Sequence, residues 1–110
     1  MWSPDTRSIA FVREFDDSTL LYVLDTVGGT PRRLAPQLQF TAWPNWSPDG
    51  TSILFTEGQT HGWDVYLIHP DGSGLRAVLH DSTADFRCPS WAPDGHRFTV
   101  SAYRDRKSVV

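Results

Sequence analysis

The chain repeats itself. Trp2-Ser3-Pro4-Asp5, Trp46-Ser47-Pro48-Asp49-Gly50 and Trp91-Ala92-Pro93-Asp94-Gly95 are three versions of one short unit, beginning 44 and then 45 residues apart. That period matches a four-stranded propeller blade and exceeds the roughly 33 or 34 residues of helical-hairpin repeats. The agreement runs beyond the motif. Ser8-Ile9 and Phe11 return as Ser52-Ile53 and Phe55, with Phe98 and Val100 in the third version, while Tyr22, Gly28 and Arg32 return as Tyr66, Gly72 and Arg76. A sequence of this kind builds one unit several times and stacks the copies, each burying its faces on its neighbours.

Within each unit the apolar segments are those of strands. Ile9-Ala10-Phe11-Val12, Leu20-Leu21-Tyr22-Val23-Leu24, Ile53-Leu54-Phe55-Thr56 and Val65-Tyr66-Leu67-Ile68 are short, rich in β-branched and aromatic residues, and bounded by turn formers. Their nearly unbroken apolar character predicts sheets covered on both faces, since a sheet wet on one side alternates. Pro4, Pro48 and Pro93 mark turns, completed by Asp-Gly in the second and third copies, whereas Thr6 stands in the glycine slot of the first. Gly28-Gly29 and Asp71-Gly72-Ser73-Gly74 mark the turn between third and fourth strands. No stretch of ten or more residues has a 3.6-residue period, so an all-β chain with helix nearly absent is expected.

These residues resemble a known repeat. Pro44 to Gly50, Ile53 to Phe55, Asp64 to Ile68 and Pro70 to Arg76 follow the TolB-like, WD40-like propeller pattern, which also occurs in propeller domains of prolyl-oligopeptidase-like enzymes. The resemblance covers nearly the whole chain and implies all-β propeller blades, with strands running from inner to outer within each. About two and a half four-stranded antiparallel blades are expected: a partial blade over residues 1–36 without its innermost strand, a complete one over 40–80, and a partial one over 85–110. Such a motif specifies a fold far more than a function.

Composition narrows the partners. Ten basic and thirteen acidic residues, for a formal charge of −3, occur without long runs, so neither nucleic acid nor an anionic membrane is expected. No apolar run reaches about 18 residues, and Met1 to Asp5 do not begin a leader, so the chain reads as soluble with its compartment open. One cysteine, Cys88, excludes an intramolecular disulfide and any multi-cysteine zinc site. No cofactor or metal is implied: His61 with Asp64, or His80 with Asp81 and Asp85, lacks the spacing of a closed metal site. The chain also has no Gly-x-Ser-x-Gly elbow, and no helix pattern follows Asp71-Gly72-Ser73-Gly74 to make it a phosphate cradle.

The repeat itself separates scaffold from site: a residue type that returns in its slot is structural, and one that does not is free for function. Trp2, Trp46 and Trp91 read as blade-packing anchors, and Asp5, Asp49 and Asp94 as turn residues rather than paired acid and base groups. Trp43 shares its slot with Cys88, which points to core packing. Unrepeated positions remain: Trp63 in the slot of Thr19, His61 in that of Asp17, Arg87 in that of Ala42, and Asp85 in that of Phe40. These four are the candidate partner-binding residues, because loops at blade edges vary and exposed aromatics anchor interfaces.

Three functions fit these residues: a non-catalytic module binding protein or peptide, the propeller part of a prolyl-oligopeptidase-like enzyme whose catalytic domain lies elsewhere, or a bare structural unit. Two and a half blades cannot close a ring, so self-association is expected. A two-blade step per chain and the six blades implied by the resemblance favour a head-to-tail homotrimer over a dimer or tetramer of the same contact, with strands near Phe86 to Ser101 completing the first blade of the next chain. The competing account is a piece that folds only within a longer parent.

Overall fold

The computed structural model describes residues 1–59, 62–81, 84–104 and 107–108. It is built of three antiparallel sheets, with no helix among the described residues. The first contains β1 (Ser8–Phe15), β2 (Ser18–Asp25) and β3 (Arg32–Arg33) in that order. The second runs β4 (Thr41–Trp46), β5 (Ile53–Gln59), β6 (Gly62–Ile68) and β7 (Arg76–Leu79). The third pairs β8 (Asp85–Trp91) with β9 (Phe98–Arg104) and β9 with β10 (Lys107–Ser108).

The middle sheet accounts for the unbroken apolar runs. Along β5, Ile53 and Phe55 enter a core shared with Ala10, Leu21 and Val23 of the first sheet, while Leu54 enters a second core with Val65, Leu67 and Phe86. Successive side chains of a strand point to opposite faces, so apolar residues at consecutive positions mean that both faces are covered. Phe55 and Tyr66 stack across β5 and β6, 5.9 Å between ring centres, as Phe11 and Tyr22 do across β1 and β2 at 5.7 Å.

Each Ser-Pro-Asp turn is a small hydrogen-bonded knot. The Ser47 hydroxyl donates to Asp49 Oδ1 (2.6 Å) and accepts from the Ser52 amide (3.0 Å), and the Thr51 amide donates to the same carboxylate oxygen (3.0 Å). Ser3, Asp5, Arg7 and Ser8 repeat these bonds. In the third copy Ala92 removes the hydroxyl, and Asp94 keeps the amide of His96 (2.9 Å). Gly50 (φ 76°) and Gly95 (φ 73°) close their turns in the left-handed region, and Thr6 adopts φ 60° there with a β-branched side chain. The first turn therefore keeps the shape of the others at a local steric cost.

The repeated tryptophans join sheet to sheet. Trp46 Nε1 donates to the carbonyl of Met1 (3.0 Å), the residue before Trp2, and Trp91 Nε1 donates to the carbonyl of Asn45 (3.2 Å), the residue before Trp46. The glycine of each turn also faces the proline of the preceding one, a Cβ on Gly50 or Gly95 falling 3.7 Å from Pro4 or Pro48 respectively. Trp46 is buried accordingly. Trp2 departs from its expected packing role and is 54% exposed, because no described residue lies on the far side of the first sheet to receive it.

The first sheet has three strands; beside β1, Trp2 makes an isolated bridge with Ile9, the Ala10 amide donates to the Met1 carbonyl (2.8 Å) and the Ser3 amide to that of Ser8 (2.8 Å). One further expectation is corrected. Trp43 and Cys88 are exposed rather than core residues. Their slot recurs because both sit in a bulge, where the pairing of β4 with β5 and of β8 with β9 slips by one residue and φ turns positive (52° and 54°).

Truncating Trp46 to alanine will lower the unfolding free energy by roughly 3 to 5 kcal/mol. Trp46→Phe, which keeps most of the packing and loses the indole donor, will cost about 1 kcal/mol beyond its repacking. Trp2→Ala will cost well under the Trp46→Ala value, and equal losses for the two in urea melts would refute the sheet-to-sheet role of the indole.

The turn also titrates. Hydrogen bonds from the Ser47 hydroxyl and the Thr51 amide and hydroxyl lower the Asp49 carboxyl to about 2, from an ordinary 3.8. A carboxyl lowered on folding contributes stability that is complete above its unfolded value and is lost as pH falls through the folded one. Stability is therefore expected to decline from about pH 4 toward pH 2. Ser47→Ala will move the Asp49 titration, followed by carboxyl-carbon NMR, back up toward 3.8; an unmoved titration would disprove the assignment.

Candidate functional site

Three of the four partner-binding candidates from the sequence converge on one end of the second sheet, and the fourth, His61, lies outside the described residues. Trp63 sits near the start of β6, half-buried, with its ring over Gly58: a Cβ there would stand 3.4 Å from the indole and 3.2 Å from Phe40. Trp43, turned outward by its bulge and 39% exposed, meets Trp63 edge to face, 5.5 Å between ring centres and 62° between planes. An aromatic beside Trp63 was not among the sequence candidates. The repeated slot concealed it, because the backbone bulge recurs while the indole does not.

Asp85 and Arg87 have structural bonds in the seam between the second and third sheets. Asp85 Oδ1 accepts from the Trp63 amide (3.0 Å), and Oδ2 accepts from Arg87 Nη2 (2.7 Å) and Nε (3.1 Å). In the seam before it, the equivalent amide of Thr19 donates to a backbone carbonyl, that of Gln39 (2.9 Å). The Asp85 carboxylate thus replaces a main-chain acceptor. Gly62 (φ 145°) makes room for it, since a Cβ would lie 2.8 Å from the Asp85 side chain.

Between the first and second sheets lies a groove of about 570 Å³, with Ala10, Val12 and Glu14 of β1, Thr19 of β2, and Trp43 and Trp63 in its walls. Ala10, Val12 and Glu14 alternate along β1 and so share one face. The walls are mainly apolar, with one carboxylate at the end.

A second polar group escaped sequence reasoning. Glu57 and Asp64 are directly opposite in the pairing of β5 with β6 and are almost fully buried, 5% and 2% exposed. Glu57 accepts from the Phe40 amide (3.3 Å), and His80 Nδ1 lies 2.6 Å from Asp64 Oδ2. Burial raises the Glu57 carboxyl above its ordinary value, and the charge of Asp64 adds to the shift. The repeat held a signal for them, because Arg13 and Leu20 fill these slots in the first copy. Glu57 ties the segment entering β4 to the body of the second sheet, so its visible work is structural. Among the described residues no group of three or more His, Cys, Asp or Glu could hold a metal ion, and no helix is long and apolar enough to cross a membrane.

Comparison with known proteins bears on this site. Over 65 residues the chain is 45% identical to an uncharacterized peptidase, YuxL, of Bacillus subtilis, covering 58% of this chain and 10% of that protein. It is 38% identical over 79 residues to the Tol-Pal system protein TolB of Syntrophus aciditrophicus, covering 68% of this chain and 17% of that one. The crystal structure of TolB from Acinetobacter baumannii superposes with a TM-score of 0.65 at 21% identity, over 97% of this chain and 30% of that one, and so shares the fold. The chain thus spans less than a third of the length of each of these proteins. The family model described as the TolB beta propeller domain matches residues 1–110. With sheets stacked at the repeat period and a family match along its whole length, the chain belongs to the TolB β-propeller family.

Proposed function

We propose that this chain is a binding module without chemistry of its own, and that it takes a protein or peptide segment in the groove between its first two sheets. The observation that carries the reading is the edge-to-face pair of Trp43 and Trp63 on a mainly apolar groove of about 570 Å³. Concave apolar walls with few polar groups are the usual form of a recognition site, and large aromatics dominate binding energy at interfaces. Asp85 supports the site by accepting from the Trp63 amide, and Arg87 by donating to the other oxygen of that carboxylate. Peptides selected from a displayed 12-residue random library against this chain will lose about tenfold or more in affinity to Trp63→Ala and to Trp43→Ala, as expected for hot-spot truncation. Selected peptides that bind both variants as well as the parent chain would defeat the proposal.

A second reading, the propeller part of a prolyl-oligopeptidase-like enzyme, is favoured by the 45% identity to a protein named as a peptidase. It requires a hydrolase domain in the same polypeptide, recognisable by a Gly-x-Ser-x-Gly elbow. In that reading the groove serves the enzyme as a contact surface, and the chemistry belongs to the other domain.

Self-association is the other part of the proposal. The Phe11 and Tyr22 stack on the outer face of the first sheet matches the Phe55 and Tyr66 stack that the second sheet turns toward the first. Among the described residues no sheet packs on that face of the first sheet. A head-to-tail homotrimer of six blades covers that face, with the Trp2 indole meeting a neighbouring chain as Trp46 meets Met1. Light scattering coupled to size exclusion will give about three times the 12.4 kDa chain mass; a stable, folded particle of monomer mass rules the ring out.

A further inference from the structure

The groove has an uneven charge. Of the residues in its walls, Glu14 alone carries a carboxylate and no side chain is cationic; the amine of Met1 is directed to the Ala10 carbonyl. Glu14 is exposed and forms no ion pair among the described residues. Its neighbour Arg13 points to the opposite face of β1, where its guanidinium lies 5.4 Å from the ring centres of both Phe15 and Tyr22. No side chain among the described residues therefore pairs with Glu14 on the wall opposite the two indoles.

We infer that the groove recognises a cationic side chain, an arginine above all, carried between apolar residues of the bound peptide. An indole face attracts a cation through its quadrupole, most strongly for tryptophan, and a guanidinium is weakly hydrated enough to leave water for an aromatic wall. Trp43 is positioned for this by its left-handed backbone, which turns the indole out of the ladder and against the edge of Trp63. Glu14, from the other wall, supplies the opposite charge, and the apolar stretch of Ala10 and Val12 receives the flanking residue and the methylene stem. A neutral or acidic side chain finds neither partner. This inference rests on the peptide-binding reading and adds to it the chemistry that is selected.

The test uses the whole chain with labelled indole nitrogens, titrated with acetyl-Leu-Arg-Leu-amide and with the same peptide carrying citrulline, which keeps the shape of arginine without its charge. The arginine peptide will shift the Trp43 and Trp63 indole signals and bind at least about fivefold tighter than the citrulline peptide. Glu14→Gln, a change at an exposed strand position, will weaken the arginine peptide about threefold or more and leave the citrulline peptide unchanged. Equal affinities for the two peptides, with both indoles shifting, overturn the cationic preference and leave the groove a peptide site. Absence of any indole shift with either peptide overturns both the preference and the binding reading beneath it.

Discussion

A sheet that is apolar on both faces cannot stand alone in water, and the architecture of this chain follows from that. Ile53, Leu54 and Phe55 are consecutive and each is fully buried, which is possible only with a sheet on either side. The indoles of Trp46 and Trp91 then set the register between sheets, each reaching the main-chain carbonyl that precedes the tryptophan of the sheet before. Apolar burial supplies the attraction but is indifferent to a slide of one residue. A directional donor from a large, rigid ring is not, so the hydrogen bond specifies what the core only favours.

The candidate site arises where a feature of every blade meets features of one. The bulge at Trp43 recurs at Cys88, so the positive φ belongs to the blade plan. An indole at one bulge of β4, meeting a second indole that reaches from β6 across Gly58 of β5, converts a backbone irregularity into an aromatic wall. Asp85 shows the same economy. Its carboxylate takes over a backbone acceptor's place in the seam, and in doing so holds both Trp63 and Arg87.

Membership of the TolB β-propeller family accounts for the stacking and leaves function to the surfaces, since a fold of this kind hosts binding and enzyme-associated roles alike. The binding and peptidase-associated readings share the groove and differ in what is covalently attached to the chain. Both leave the buried Glu57 and Asp64 pair a structural part, tied to the Phe40 amide and to His80.

The all-β class and the strand-rich blade repeat were legible from residues 1–110 alone, because a period of 44 or 45 residues, strand-like composition and turn residues are local properties written along the chain. The turn role of the aspartates is equally local, made of bonds between residues two to five apart. What only the tertiary structure decided is which repeated residues are covered. Trp2 and Trp46 occupy the same slot, yet one is half-exposed and the other buried, because burial depends on whether a sheet lies beyond. Trp43 and Cys88 looked like a retained apolar slot and are a retained backbone conformation, which side-chain identity does not report. The meeting of Trp43 with Trp63, of Asp85 with the Trp63 amide, and of Glu57 with Asp64 depends on bulges and strand register. Those are settled by packing between sheets, a property of distant segments together and of no segment by itself.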